Sequence, residues 1–373
     1  MYARRIGLLG TVLTAGALLA LAGCGGGDES VESAGPAEAR TEAVGTASEL
    51  AGVKRFLGDH TDRLAAFTVE LDRLSSHYAD LARQEDGDLA ALWAARADEV
   101  RPLLAQMRTA WVEGNPAYER AEGIVAGTPS LAEYDVIIDA GSSAAEDPES
   151  AVPFDLTLAD GTVLKQPGNL FNLTEGALWG TLPEALDRPG TPVDVDGDGA
   201  VEFGEVLPDP QLLQAAAGTF VKYAADLDAA GEAWQPSASD AFTAVVVMVP
   251  TMSEYFGQWK DSRFVAGGGA TSEAFNVVSR LSDIRDILTG LEVVYGGIEP
   301  AVATADAQRA AQTGTELSNL RAFIADLHDR EQAGKRFTPE QADTLGTEAQ
   351  ERATMIAGQV SQAAAQLGVE IEQ

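Results

Sequence analysis

Apolar side chains recur every three or four residues over much of this 373-residue chain. That spacing places them on one face of an α-helix, and such a face must pack against other helices to leave water. The clearest example covers residues 57–81, where the seam consists of Leu57, His60, Leu64, Phe67, Leu71, Leu74, Tyr78 and Leu81. The pattern predicts an all-α protein made of antiparallel helical bundles.

Similar patterns predict further helices at residues 88–112, 117–124, 130–141, 169–180, 209–233, 239–262, 271–297, 301–332 and 339–366. Two stretches interrupt the helices. Residues 155–165 contain an Asp-Gly pair between short apolar runs, which predicts a small β-hairpin. Residues 182–208 are rich in proline, glycine and acidic residues. We therefore divide the chain into an N-terminal bundle half (49–181), an insertion (182–208) and a C-terminal bundle half (209–373).

The insertion contains the sequence DVDGDGAVEFGE at residues 194–205. It matches the EF-hand calcium loop, which has acidic ligands at alternate positions, a glycine at the sharp turn, a backbone carbonyl ligand and a final bidentate glutamate. Prolines on both sides prevent flanking helices, so we expect one isolated loop that braces the insertion. The alternative is a solvated acidic turn. The predicted Ca²⁺ ligands are Asp194, Asp196, Asp198, Ala200, Glu202 and Glu205.

The formal net charge of the chain is −33. Nucleic acids and anionic lipid headgroups require basic patches, so this charge argues against both as partners. It favours cationic ligands, including metal ions. A general adaptation of composition, to a salty habitat or a GC-rich genome, is the alternative explanation of the acidity.

The N-terminus predicts export and lipid anchoring. A short basic segment precedes an apolar run that is too short for a stable membrane span, and LAGC follows at residues 21–24. This arrangement is similar to the lipobox of bacterial lipoproteins, which implies removal of residues 1–23 and lipidation of Cys24. Residues 24–48 then form a flexible tether. The implied location is extracytoplasmic, on the periplasmic side, the outer membrane or the cell surface; the alternative is an ordinary signal peptide with an incidental cysteine.

The chain has few candidates for catalytic chemistry. It contains one cysteine and three histidines, and no histidine has the spacing of a zinc site. Neither a nucleophile elbow nor a phosphate-binding loop occurs. The remaining candidates are acidic pairs that share a helix face, namely Glu119 with Glu122 and Asp135 with Asp139. Such pairs build metal sites inside helical bundles, although solvated helix faces carry the same pairs.

Several segments together resemble the imelysin-like family, which includes the EfeO/EfeM-type lipoproteins of bacterial iron uptake. The segments are AYERAEGIVAG, DVIIDAG, NLFNLTEGALWGT, TMSEYFGQWKDSRF and FNVVSRLSDIRDILTGLEVVYGGIEP. The resemblance implies two helical halves and a metal site at a G-x-H-x-x-E signature. Here the glutamate of that signature is Glu175, Asn172 occupies the histidine position and Leu170 the glycine position. Asparagine is a poor ligand for iron or zinc and suits hard, oxygen-preferring cations, so the metal site that the resemblance implies is either altered or lost in this chain.

We therefore expect a groove between the halves that holds iron or another divalent cation, lined by Glu122, Asp139, Asn172 and Glu175. Components of an iron-uptake system in the membrane are the expected partners. Peptidase activity is not expected, because no histidine pairs with Glu175 in the signature. The alternative function is a non-catalytic structural or interaction lipoprotein in which only the calcium loop binds metal.

Overall fold

A computed structural model describes residues 47–272 and 274–372, and it confirms the all-α fold class. The helices are α1 (Ala47–Gln84), α2 (Leu89–Val125), α3 (Ala132–Asp135), α4 (Leu170–Trp179), α5 (Pro210–Ala233), α6 (Ala238–Met248), α7 (Met252–Asp261), α8 (Arg263–Ala266), α9 (Arg280–Gln332) and α10 (Pro339–Leu367). The strands are β1 (Leu156–Thr157), β2 (Val163–Leu164), β3 (Thr191–Pro192) and β4 (Val206–Leu207). A π-helix covers Val136–Ala140, and 3₁₀ turns cover Glu184–Leu186, Val249–Thr251 and Gly267–Gly269.

The predicted signal peptide, Cys24 and most of the predicted tether lie outside the described residues. The tether was expected to reach residue 48, but α1 begins at Ala47. Within the described ranges, no helix combines the length and the apolar character that a membrane span requires.

The first bundle consists of α1, α2 and α5. Helix α2 runs antiparallel to α1 and approaches it closely at Gly114, where a Cβ atom would lie 2.2 Å from the ring of Phe67. Helix α5 also runs antiparallel to α1. The Tyr78 hydroxyl donates to the Pro208 carbonyl over 2.9 Å at one end, and Thr61 donates to Asp228 at the other.

The position of α5 corrects the division of the chain into halves at residue 209. Helix α5 was assigned to the C-terminal half, but it packs on α1 of the N-terminal half. The apolar face of α1 is too wide for one neighbouring helix to bury. Helix α2 buries one side of this face, and α5 buries the other. Helices pack where their apolar faces fit together, whatever their order in the chain. The insertion therefore falls, along the sequence, between two helices of the first bundle.

Helix α2 also differs from the prediction of two helices at residues 88–112 and 117–124. It is continuous, with Pro102 and Pro116 inside it, and its one non-helical residue is Arg96 (φ −138°, ψ 27°). Packing against α1 keeps the segment helical although each proline removes a backbone donor.

Helix α9 is a helical hairpin that reverses at Asp306 (φ −158°, ψ 99°). We call residues 280–305 the first arm and residues 307–332 the second arm. The arms lie antiparallel, because the Tyr295 hydroxyl donates to the Ala310 carbonyl over 2.8 Å and Arg321 donates to Glu292 over 2.7 Å. The sequence predicted two helices here, but it placed the break near Pro300 and the start at residue 271.

The second bundle contains α6, α7, α10 and the second arm. Helices α7 and α10 lie antiparallel, with Lys260 2.8 Å from Asp343. The first arm joins the two bundles, because it also packs on α2, where a Cβ atom at Gly123 would lie 2.8 Å from Leu291. The buried apolar side chains of both bundles form one continuous core.

Two small sheets lie beside the first bundle. Strands β1 and β2 pair antiparallel, with Leu156 opposite Leu164. Strands β3 and β4 also pair antiparallel, with Thr191 opposite Leu207, and they bracket the acidic loop at residues 194–205. The loop therefore projects from a short β-ladder rather than from a pair of helices.

Candidate functional site

Three buried carboxylates meet between the two bundles. Glu119 and Glu122 lie three residues apart on one face of α2, and Asp139 lies in the π-helix. One carboxylate oxygen from each of the three lies within 4.8 Å of the others. The exposed fractions of these residues are 1%, 3% and 6%. A π turn changes the direction of side chains relative to an α-helix, and such turns are frequent at functional sites.

Arg280, the first residue of α9, lies among these carboxylates. Its guanidinium nitrogens are 3.5 Å from Glu119, 3.6 Å from Asp139 and 3.4 Å from Asp283. The guanidinium also lies over the rings of Tyr255 and Phe275, at 4.5 Å and 4.2 Å from their centroids. Aromatic faces and carboxylates together compensate the cost of burying this cation.

Neutral donors hold other oxygens of the cluster. Tyr255 donates to Glu122 over 2.8 Å, Asn115 donates to Asp283 over 3.1 Å, and Tyr118 donates to Asp135 over 2.6 Å. Three buried oxygens nevertheless have no hydrogen-bond partner among the described residues: Glu119 Oε2, Glu122 Oε2 and Asp139 Oδ1. Glu119 Oε2 has only the 3.5 Å ion-pair contact with Arg280. Unpartnered buried carboxylate oxygens are costly, so the cluster is suited to receive a cation or protons.

Burial raises the pKa values of these carboxyl groups. Burial, and next the charges of Asp283 and Asp139, raise the pKa of Glu119 well above its usual range. Burial raises the pKa of Glu122 to about 8, although Arg280 opposes the shift. Burial likewise raises the pKa of Asp135 and of Asp283 to about 7. Burial therefore favours the protonated form of these carboxyl groups, and a bound metal cation would favour the ionised form.

Part of the cluster lines a cleft of about 460 Å³. Glu122, Asp139 and Arg280 belong to the lining of this cleft, whereas Glu119 does not. Two exposed acids, Glu146 and Glu254, lie at its edge. The potential along the cleft is therefore negative, which attracts cations from solution.

The structure brings together three of the four predicted groove residues, because Glu122, Asp139 and Asn172 line the cleft. Glu175 does not line it. Both oxygens of Glu175 accept backbone N–H groups instead, from Asn276 over 3.0 Å and from Phe275 over 3.3 Å. The carboxylate therefore lies behind the wall of the cleft, where its oxygens are occupied by the chain itself.

This contact holds the connector that precedes α9, whose described residues are 267–272 and 274–279. Phe275 has a φ of +58°, a conformation that costs energy for a bulky side chain. Successive N–H groups in such a turn form a concave anion site, and Glu175 occupies it. Burial raises the pKa of Glu175 to about 7, while the N–H groups of Asn276 and Phe275 oppose the shift. Glu175 thus fixes the backbone of the connector, which positions Phe275 and Arg280 in the wall of the cleft.

The sequence did not predict Arg280, Asp283 or Tyr255 as site residues. One signal was present. Ser279 caps α9, which places Arg280 in the first turn, where the helix dipole disfavours a positive charge. A cation in that position requires carboxylate partners, and the structure supplies them from α2 and the π-helix.

The acidic loop is a separate, exposed cluster. Oxygens of Asp194, Asp196 and Asp198 lie within 4.8 Å of one another. Asp194 accepts the backbone N–H of Gly199 over 2.9 Å, and Gly199 has a φ of +92°, as a sharp turn requires. The side chain of Glu205 forms hydrogen bonds with backbone N–H groups of the same loop.

The last predicted ligands differ in position. Glu205 accepts the N–H groups of Val195 and Glu202 over 2.9 and 2.8 Å. Ala200 and Glu202 are exposed, and neither belongs to the close group of three aspartates.

Two arginines of α2 attach the loop to the first bundle. Arg101 donates to the Val195 carbonyl over 2.6 Å. Arg108 donates to the Gly204 carbonyl and, over 2.8 Å, to the Leu178 carbonyl. From the second half of the chain, Arg263 lies 3.7 Å from the centroid of the Phe203 ring. The loop therefore contacts both halves of the chain.

Comparison with protein families places the chain in a known family. A family model described as imelysin, peptidase M75, matches residues 74–360. This range contains the buried cluster, the connector and the acidic loop. A search of curated proteins found no match.

Proposed function

Since this chain belongs to the imelysin family, we propose that it binds a metal cation in the cleft and serves cation uptake outside the cytoplasmic membrane. The proposal rests on Glu119, Glu122 and Asp139, because one carboxylate oxygen of each lies within 4.8 Å of the others and each residue has a buried oxygen without a hydrogen-bond partner among the described residues. A cation bound among the three carboxylates would compensate their buried negative charge.

The charge balance supports a cation rather than an anion. Five carboxyl groups interact with one guanidinium, that of Arg280: Glu119, Glu122, Asp135, Asp139 and Asp283. Oxygen-only ligands favour hard cations such as iron, manganese, magnesium or calcium. None of the three histidines lines the cleft, which argues against a zinc peptidase site. Iron is the cation that we propose for the uptake function.

The proposed location follows from the sequence of the N-terminus. Lipid attached to Cys24 would hold the protein at a membrane, and the following tether would let the cleft reach solution or a partner. The partner would be a membrane component of cation uptake. Radiolabelled fatty acid incorporation tests the anchor: label should appear in the wild type and be absent from Cys24→Ser.

The cleft site is tested by titrating iron and manganese into protein freed of metal. Glu122→Gln and Asp139→Asn should each lose one equivalent of bound cation, because each removes a charged ligand but preserves shape. Glu351→Gln, which alters an exposed acid of α10, serves as the matched control and should bind as the wild type does. Unchanged binding in both cleft variants would rule the site out.

We also propose that the acidic loop binds Ca²⁺ as a structural brace. The close group of Asp194, Asp196 and Asp198 and the turn at Gly199 support this. Ca²⁺ should raise the melting temperature of the wild type by mass action on the folded state, but not that of Asp194→Ala. Equal shifts in the two proteins would contradict the loop site.

A second function is favoured by Arg280, whose guanidinium already supplies a positive charge to Glu119, Asp139 and Asp283. In that case the cluster is a structural ion network, and the protein is a non-catalytic interaction lipoprotein with one calcium site. Binding of a single cation that Asp194→Ala abolishes and Glu122→Gln leaves intact would favour this function.

A further inference from the structure

A second cavity of about 400 Å³ adjoins the cleft. The two cavities share Gly141, Glu146 and Asn172 in their walls. The second cavity is also lined by residues 181–183, at the start of the insertion, and by Thr271, Ser272 and Ala274 of the connector. Asn172 therefore lies at the junction between the acidic cluster and a second, separate space.

The second cavity differs from the cleft in its chemistry. Among the described residues that line it, none is Lys or Arg, and Glu146 is the one acid. The other polar groups are neutral. The hydroxyl of Thr181 is buried without a hydrogen-bond partner, and no described residue hydrogen-bonds the side-chain amide of Asn172. Free neutral donors and acceptors in a concave space are typical of a small-molecule site.

The acidic cluster cannot complete the coordination of a hard cation. Calcium and magnesium take six or more oxygens, whereas three acidic side chains of this region in the described part of the chain, those of Glu119, Glu122 and Asp139, have oxygens within 4.8 Å of one another. Arg280 occupies one side of the cluster, 3.5 Å from Glu119 and 3.6 Å from Asp139. Glu122 and Asp139 line the cleft, so further oxygen ligands would enter from that side with the cation or come from water.

The volumes favour ligands that enter with the cation. One water molecule takes up about 30 Å³ of liquid, so beside a bare ion the two cavities would hold many waters, which an organic ligand could displace. A metal complex with a small organic ligand matches the available space, and cavities of this size are typical for such ligands.

The charges restrict the class of organic ligand. A polycarboxylate would place negative charge beside Glu146 and Glu254 without a basic partner in the second cavity. A hydroxamate carries one negative charge, on the atoms that bind the metal, and its organic part is neutral. Ferric iron bound by one or two hydroxamates keeps a net positive charge, which suits the acidic cluster.

Resting on the proposed function, we infer that the protein takes its cation together with a small hydroxamate-type chelator, whose neutral part occupies the second cavity. Asn172 determines this specificity: its amide donates to the chelator and accepts from it at the junction. The histidine of the family signature is thus replaced in this chain by a residue that recognises the chelator instead of the metal.

The test compares ferric acetohydroxamate, ferric citrate and Mn²⁺ alone as probes of the full mature protein. The wild type should bind the hydroxamate complex about tenfold more tightly than the citrate complex, the gain expected from one or two added hydrogen bonds. Thr271→Trp fills the second cavity from an exposed position and should remove this preference. Asn172→Ala should reduce it, and Thr271→Trp should bind Mn²⁺ as the wild type does. Asn319→Ala, an exposed asparagine on the second arm, is the matched control.

Two results would overturn the inference: equal affinity of the wild type for the two ferric complexes, or a hydroxamate preference that survives Thr271→Trp. Failure of the proposed function gives a different pattern, in which Glu122→Gln leaves the binding of all three probes unchanged. The ratio of the affinities for ferric acetohydroxamate and ferric citrate tests the second cavity. The effect of Glu122→Gln on binding tests the acidic cluster.

Discussion

Two glutamates with equal burial have different roles in this protein. Glu122 and Glu175 are each 3% exposed, and burial raises the pKa of both. Glu122 keeps one oxygen free toward the cleft, whereas both oxygens of Glu175 accept backbone N–H groups. The two glutamates differ in their hydrogen-bond partners. Those of Glu175 come from the connector, about a hundred residues further along the chain.

The two glutamates should respond differently to the same substitution. Glu175→Gln replaces an acceptor with an amide donor facing Phe275 or Asn276, and should lower the free energy of unfolding by about 1–3 kcal/mol. Amide hydrogen exchange at these two residues should become faster. Glu122→Gln should lose cation binding without loosening the connector. If Glu175→Gln loses cation binding while the connector amides stay protected, Glu175 is a ligand instead.

The buried carboxyl groups also predict how stability depends on pH. The pKa of Glu122 is raised to about 8, and those of Asp283 and Glu175 to about 7. The folded state therefore binds more protons than the unfolded state between roughly pH 4 and 8, so its stability falls as pH rises through this window. Metal-free protein should show a lower denaturation midpoint at pH 8 than at pH 5.5.

The matched variant for this pH series is Glu122→Gln with Asp283→Asn. It removes two of the raised pKa values, so its midpoint should depend less on pH than that of the wild type. An equal slope in the two proteins would assign the pH dependence to other groups.

Residue spacing predicted part of the site. Glu122 and Asp139 were found because acidic pairs recur on one helix face, and Asn172 was found through the family signature. Arg280 and Tyr255 were not found, because they reach the cluster from elements more than a hundred residues away. Spacing within one helix identifies neighbours along that helix, but the assembly of several helices is decided by packing.

At the scale of elements, most helices were predicted within a few residues, and the errors occur at their breaks. Residues 57–81 lie within α1, and the helix predicted at 339–366 corresponds to α10 (Pro339–Leu367). Proline did not mark the ends of helices, since Pro102, Pro116 and Pro300 all lie inside helices. The break in α9 instead occurs at an aspartate that caps the following arm.

That cap gives an element-scale prediction. The Asp306 carboxylate accepts the backbone N–H of Arg309 over 3.0 Å, so Asp306→Ala should destabilise the protein by about 1 kcal/mol. Asp326→Ala removes an exposed acid of the second arm that pairs with Arg330, and should change stability by less than about 0.5 kcal/mol. Urea denaturation of both variants measures the difference. Equal effects would show that the turn does not depend on the cap.

At the scale of the whole molecule, the cluster depends on contact between the two bundles. Glu119 and Glu122 come from α2 of the first bundle, Tyr255 comes from α7 of the second, and Arg280 begins the arm that joins them. The sequence predicted two helical halves with a site between them. It could not predict that α5 returns to the first bundle, because an amphipathic face does not specify its partner.

The central claim is that a cation binds among Glu119, Glu122 and Asp139, and anomalous X-ray diffraction tests it most directly. Crystals of the metal-free protein would be soaked in Mn²⁺, and the anomalous signal would locate the metal. The structure predicts a peak between these three carboxylates in the wild type and none there in Glu122→Gln. A wild-type map with no peak at the cluster, or with a peak only in the loop at residues 194–205, would contradict the claim.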